Sequence, residues 1–309
     1  MLAVVDRGSF TKAAAAVHVS QPSLSDGIRR LESELGVRLF HRLGRTVVLT
    51  DAGRAFVGPA RQLLRDRDAL LESVADVRGL EAGTIDVVAL STLAADPLGR
   101  LVGRFRELHP GVAVRIAAPD DLAAVDAMVL DGRCELGLTE LPPRREELVA
   151  VTLETQEIVA VCPPSTLLPA PGRLPIGLLD EMPLVMTPRG LSTRDLLDRA
   201  LASAGVEPVI AVETSQREAI APLVLGGAGT SFLPAGQAKT LGAQGAVVAR
   251  LVPTLTRTIG LVHRPAPLSP AARAFVEMSR PAAARRRPRP GRSQRPARAM
   301  EGRRPKPHG

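Results

Sequence analysis

Between Thr84 and Met278, short aliphatic runs alternate with stretches of helical spacing, and this alternation constrains the fold more than any other feature. Ile85–Leu90, Val112–Ala117, Glu135–Thr139, Glu157–Cys162, Leu184–Thr187, Val209–Val212, Thr230–Leu233 and Ile259–His263 read as strands. A helix opens at Asp96-Pro97 and is stopped by His109-Pro110-Gly111. Leu122–Asp131, Ser192–Ala204, Gln216–Leu225 and Pro270–Met278 read as further helices. Such alternation predicts an α/β body of mostly parallel sheets, covered on both faces.

The first 80 residues do not fit that pattern, and 309 residues leave room for a second domain. With aromatic content at 2%, the cores must be built from Leu, Val, Ile and Ala. No run approaches the ~18 apolar residues of a membrane span. Residues 1–9 carry Asp6 and Arg7 and lack a signal-peptide pattern. Cys134 and Cys162 lie far apart in apolar runs, which speaks against a metal or a disulfide. These features point to a soluble cytoplasmic protein without a membrane partner or cofactor. Residues 281–309 hold nine Arg and one Lys against one Glu, whereas residues 81–280 are net acidic. That tail has almost no apolar content and is expected to be disordered. A basic head, acidic body and very basic tail suit a chain that touches nucleic acid at one end.

Within the head, Ser9 caps a helix that ends near Val17-His18. Ser20 caps a second helix with Gln21 and Pro22 in its first turn, a tolerated place for proline. Leu24, Ile28 and Leu31 share one apolar face; Gln21, Ser23, Asp26, Arg29 and Arg30 lie on the other. Two short helices and a tight turn form a helix-turn-helix, whose second helix enters the major groove by its N-terminal end. The candidate DNA contacts are Ser9, Thr11, Ser20, Gln21, Pro22, Ser23, Ser25, Asp26, Arg29 and Arg30. Gln21 suits an adenine edge, Ser23 several bases, and Asp26 a cytosine amino group. Arg29 or Arg30 would meet phosphate, and Gly27 would allow close approach to the sugar–phosphate chain.

Arg42-Leu43-Gly44-Arg45 reads as the turn before the strand Thr46–Leu49, a wing that places Arg42 and Arg45 on phosphate or in the minor groove. A long helix follows over 51–79, capped by Thr50. Phe56, Ala60, Leu63, Leu70, Val74 and Val77 follow 4-3 spacing, interrupted at Arg67, as a pairing seam would.

The linked motifs Gly8-Ser9-Phe10-Thr11-Lys12-Ala13-Ala14, Val19-Ser20-Gln21-Pro22-Ser23-Leu24-Ser25, Ile28–Glu32, Leu35–Arg42 and Leu49-Thr50-Asp51-Ala52-Gly53 closely resemble the LysR-type transcriptional regulators. The resemblance covers about residues 1–280. It implies a winged helix-turn-helix over 1–53, a dimerising linker helix over 54–82, and a periplasmic-binding-protein-like effector domain over 83–280. Lobe one would be 84–157 with 263–280, and lobe two 158–257. It further implies double-stranded DNA as partner, a small-molecule effector between the lobes, and a homodimer or homotetramer. Against the family pattern the first helix opens midway, at Leu2–Val5, which points to a start codon upstream of Met1. The tail after Arg280 also departs from the family.

Ligands in open α/β sheets sit at the carboxyl ends of strands. By that rule the candidate effector contacts are Ser91, Thr92, Thr139, Glu140, Thr187, Arg189, Ser192, Thr214 and Gly229. Ser91 and Thr92 would hold a carboxylate at a helix start. Glu140 leaves a neutral or cationic effector open. Ser192 and Ser215 also read as helix caps, and Arg189 equally as a surface cation. The Gly227–Thr230 run lacks the Lys-Ser/Thr of a phosphate loop. Five His, two isolated Cys and no nucleophile elbow argue against an enzyme.

Overall fold

Capping serines and left-handed glycines punctuate the first 36 residues into three helices: α1 (Leu2–Arg7), α2 (Phe10–Ala16) and α3 (Gln21–Leu35). The structure, a computed structural model, describes residues 1–43, 46–75, 83–119, 121–190 and 192–280. The tail over 281–309, Arg45 and Val77 therefore lie outside the described residues. The Ser9 and Ser20 side chains accept from the backbone N–H groups of Lys12 and Ser23, and Gly36 ends α3 in the left-handed region. Val4, Ala13, Ile28, Leu39 and Phe40 form the head's core, with Phe10 meeting Phe40 edge to face at 5.7 Å.

β1 (Phe40–Leu43) and β2 (Thr46–Leu49) pair antiparallel, with Arg42 opposite Val47. Arg42 thus lies in a strand, not in the turn, because pairing begins as soon as Phe40 has anchored the chain to the core. The long helix α4 (Asp51–Ala75) follows, its first turn closed by Thr50 accepting from Gly53 N–H at 2.9 Å. Phe56 packs into the head's core, so it leaves the expected seam; Leu63, by contrast, is 72% exposed.

The remaining residues build two α/β lobes around one six-strand path, in the order β10 (Ser231–Pro234), β6 (Val149–Cys162), β11 (Val247–His263), β5 (Leu136–Leu141), β3 (Gly83–Ala89) and β4 (Val112–Ala117). The short β7 (Arg173–Pro175) adds to β11. β8 (Pro183–Met186) and β9 (Val209–Glu213) form a separate parallel pair. The β3–β4 and β3–β5 pairings are parallel, but β6 and β11 pair antiparallel with each other and with β10 and β5. The sheet is therefore more mixed than the alternation predicts. In β6 the stretch Glu154–Glu157, where the strand passes between the lobes, is polar.

These two long strands run through both lobes. Arg250 pairs with Val159 and Leu255 with Ile158, so 251–254 leave the register, and there β11 takes β7 as its partner. Lobe one packs α6 (Gly99–Leu108) and α11 (Pro270–Ser279) on β3 and β5, with Phe105 against Phe275 at 5.2 Å. On its other side, α7 (Leu122–Leu130) covers Val88 and Leu90. Lobe two buries α8 (Ser192–Ser203) against β8 and the far ends of β6 and β11. α9 (Ile220–Leu225) and α10 (Ala235–Ala243) cover the opposite face of β6. The expected helix over Gln216–Leu225 opens as a single 3-10 turn at Arg217–Ala219.

Candidate DNA-reading face and inter-lobe cleft

The apolar stripe of α3 fixes which of its residues look outward. Ile28 is buried, and Leu24 and Leu31 pack against the head's core. Gln21, Pro22, Ser23, Asp26, Arg29 and Arg30 are exposed, as are Ser9's neighbour Thr11 and the cap Ser20. Ser25 is only 6% exposed and takes a hydrogen bond from the Gln21 side-chain amide at 3.1 Å, so it positions Gln21 from below. The Ser20 and Ser23 hydroxyls share a 2.7 Å hydrogen bond. Asp26 pairs with Arg29 one turn on, which ties that guanidinium to the helix surface. Arg30 makes no hydrogen bond or ion pair among the described residues.

Glu32 links this helix to the wing. Its carboxylate accepts from the N–H groups of Leu39, at 2.7 Å, and Phe40, at 3.2 Å. Thr50 donates to the Arg38 carbonyl at 2.6 Å. The wing's base is thus fixed to the recognition helix by charge-assisted hydrogen bonds, the stronger kind.

A cleft of about 560 Å³ opens between the lobes, within the usual range for small-molecule sites. Lobe one supplies Leu90 and Ser91 after β3, Pro119, Asp121 and Ala123 around the start of α7, and Arg144; lobe two supplies Pro188–Gly190, Ser215, Arg217 and Glu218. Arg217 also lines a small adjoining cavity with Thr92, Thr187, Thr193 and Arg194. Arg144 likewise lines a third cavity, of about 240 Å³, with Thr139, Glu140, Asp195 and Arg199. Six sequence candidates therefore come together between the lobes: Ser91, Thr92, Thr139, Glu140, Thr187 and Arg189.

Others do not. Thr214 accepts from the Gln216 N–H at 3.0 Å and lines none of these cavities. Gly229 is buried at a backbone crossing: φ is +151°, and a Cβ there would stand 2.4 Å from the Pro183 carbonyl oxygen. Ser192 opens α8, and its side chain lies outside the described residues. The expected helix start at Asp96 is a break instead, with Asp96 extended between the short α5 (Ser91–Leu93) and α6.

The sequence marks Arg189 but not Arg144, Arg194, Arg217 or Arg257. Arg257, only 3% exposed on β11, donates twice to the Gln156 side-chain oxygen, at 3.2 and 2.9 Å, and once to Thr193 at 3.3 Å. Burial pulls this guanidinium down to about 10, with Glu140 opposing the shift and Arg217 adding to it. Arg194 is held by Asp198 at 2.8 Å, by the Thr187 carbonyl at 2.7 Å and by Glu213 at 3.3 Å. Two ion pairs bridge the lobes, Arg144–Asp195 at 3.6 Å and Arg199–Glu140 at 3.9 Å. Gln237 in α10 also reaches the Thr92 carbonyl across the gap, at 3.0 Å.

An exposed helix-turn-helix, a connecting helix and two lobes around a polar cleft define a ligand-responsive DNA-binding regulator as a class. The chain belongs to the LysR family of bacterial transcriptional regulators. The model of the LysR substrate binding domain matches residues 78–284, and that of the bacterial regulatory helix-turn-helix protein of the lysR family matches residues 1–54. Among similar proteins, the RuBisCO operon transcriptional regulator of Allochromatium vinosum is 31% identical, covering 75% of this chain and 76% of its own. The HTH-type transcriptional regulator YeiE of Escherichia coli is 30% identical, covering 90% of this chain and 94% of its own. The fold resembles that of a full-length OxyR variant from Pseudomonas aeruginosa, with a TM-score of 0.73 at 24% identity over 90% of this chain and 91% of that one. It also resembles full-length CbnR solved in complex with its target DNA, with a TM-score of 0.56 at 25% identity over 90% and 95% of the two chains. No helix among the described residues is long and apolar enough to cross a membrane.

Proposed function

We propose that this chain is a cytoplasmic, non-enzymatic regulator whose hold on promoter DNA is set by a small molecule taken up between its lobes. The head over 1–53 reads DNA, the linker over 54–82 pairs with a second copy, and 83–280 senses the effector. Gln21 reads an adenine edge and Ser23 an adjacent base. Asp26 accepts from a cytosine amino group and steers Arg29 through their ion pair. Arg30 meets phosphate, with Ser9, Thr11, Ser20 and Pro22 setting the approach of the helix and Arg42 and Arg45 extending the contact through the wing. In the sensing domain, Ser91, Thr92, Thr139, Thr187 and Arg189 face the effector. Exposed Leu63 contributes to the pairing seam of the linker.

The observation that carries this reading is a connection. One side chain of the linker helix, Arg61, touches both the head and lobe one: it pairs with Asp6 and donates to the Asp131 carbonyl at 3.2 Å. Effector-driven movement of the lobes then reaches the head through a packed contact. The test is binding to the DNA upstream of the chain's own gene, at stated salt, with unlabelled competitor. Saturable binding that outlasts competitor and is lost in Gln21→Ala supports the reading; binding indifferent to sequence and to Gln21 refutes it.

A further inference from the structure

Building on the regulator reading, we propose that the inter-lobe cleft takes a small organic carboxylate, its acid group held by Arg217 and its apolar body against Pro119, Ala123 and Pro188. Arg217 stands at the junction of the 560 Å³ cleft and the small cavity beside it, half-buried. Every other arginine around the cleft has a partner. Arg144 has Asp195 at 3.6 Å, Arg189 has Asp198 at 3.7 Å, and Arg199 has Glu140 at 3.9 Å. Arg194 and Arg257 are held as described above. Arg217 alone of this set makes no hydrogen bond or ion pair among the described residues.

A guanidinium taken partly out of water without a partner is costly, and chains retain such groups where a ligand completes them. The surroundings sharpen the demand. Burial pulls the Arg217 pKa down, with Glu218, next in sequence, opposing, and the charge of Arg217 in turn lowers that of Arg257. Asp121, the other carboxylate on the cleft wall, is occupied in capping α7, accepting from Ala124 N–H at 2.7 Å.

The planar fork of an arginine matches a carboxylate in two parallel hydrogen bonds. The exposed hydroxyls of Ser91 and Ser215 stand on the two walls as further donors. The apolar wall of Pro119, Ala123 and Pro188 has no use for an inorganic anion, which would leave it wet.

The full chain would be melted in a calorimeter at fixed ionic strength with acetate, succinate, benzoate, inorganic phosphate or choline as probes. A carboxylate is expected to raise the Tm saturably, while phosphate and choline match the chloride control. Arg217→Met is expected to weaken that carboxylate by roughly 10- to 100-fold, as loss of a charged hydrogen bond does. Without probe, the same variant should melt no lower than the parent, since no partner is orphaned. The proposal falls if no carboxylate moves the Tm, if the shift survives in Arg217→Met, or if phosphate or choline serves as well. DNA binding of the same preparations separates the two readings. Specific binding without any carboxylate shift leaves the regulator and removes the acid; an Arg217-dependent carboxylate shift without specific binding keeps the acid site and removes the regulator reading.

Discussion

Arg61 of the linker helix pairs with Asp6 in the first helix of the head, although 55 residues separate them. The Arg61 side chain is only 10% exposed, and its second nitrogen reaches the Asp131 carbonyl at the end of α7. The opposite end of α7, at Asp121–Ala123, forms part of the cleft wall. One helix thus spans from the cleft to the residue that holds the head. Arg61→Ala is expected to loosen α1 by about 1–3 kcal/mol, the scale of a charge-assisted hydrogen bond. Hydrogen exchange should rise over Leu2–Arg7 and stay unchanged in β3 and β5; unchanged exchange in α1 would show the pair to be idle.

Two glycines make opposite demands. At Gly53 a Cβ would stand 2.1 Å from the Leu39 carbonyl oxygen and 2.8 Å from Leu49, where α4 crosses the wing. Gly53→Ala should cost at least about 1–3 kcal/mol, since the obstacle is backbone. Around Gly27, on α3, nothing lies within 4 Å. Gly27→Ala should therefore stabilise the head by up to about 1 kcal/mol through helix propensity. If that space is reserved for the sugar–phosphate chain, the more stable variant will bind DNA more weakly. Thermal melting and DNA titration on both variants check the pair of expectations.

Asp126 is nearly inaccessible on α7; one carboxylate oxygen accepts from Arg144 N–H at 3.1 Å, and the other has no partner. Burial pushes its pKa up, with Arg144 and Arg145 opposing. A raised acid pKa means that the folded state binds the proton more tightly than the unfolded state does. This group's contribution is therefore most favourable below its unfolded pKa and is lost as pH rises through its folded one. Asp126→Asn should be more stable than the parent at neutral pH, and the gap should close on acidification. A gap that widens in acid would contradict the assignment.

Arg257 and Gln156 lock β11 to β6 where both strands pass between the lobes. Arg257→Ala leaves the Gln156 oxygen buried and unpaired, at a cost of about 1–3 kcal/mol beyond the lost packing. The double variant with Gln156→Ala should lose less than the sum of the two single changes. Additive losses would mean that the two side chains act independently.

The head was legible because its signals are local. Ser9 and Ser20 are caps, Leu24, Ile28 and Leu31 form a stripe, and each is read within one turn of itself. The cleft was half legible. Ser91, Thr92, Thr139, Glu140, Thr187 and Arg189 lie where strands end, and the strand-end rule finds them. Arg144, Arg217 and Arg257 come from a loop, a single 3-10 turn and the middle of a crossing strand, and in an arginine-rich chain nothing local marks them. Thr214 and Gly229 show the rule's other failure, since a strand end can equally serve a turn or a backbone crossing. Phe56 fits a seam by spacing alone, and only the folded head reveals that it packs inward.

The central claim is that the state of the cleft sets the hold of a distant head on DNA. It is tested most directly by measuring DNA affinity and footprint after breaking both inter-lobe ion pairs, with Glu140→Gln and Asp195→Asn together. Neither residue belongs to the head. Loss of both pairs should change the Kd by roughly threefold or more, or shift the footprint, at constant salt. A Kd and footprint identical to the parent's, in a protein that still loses binding on Gln21→Ala, would contradict it.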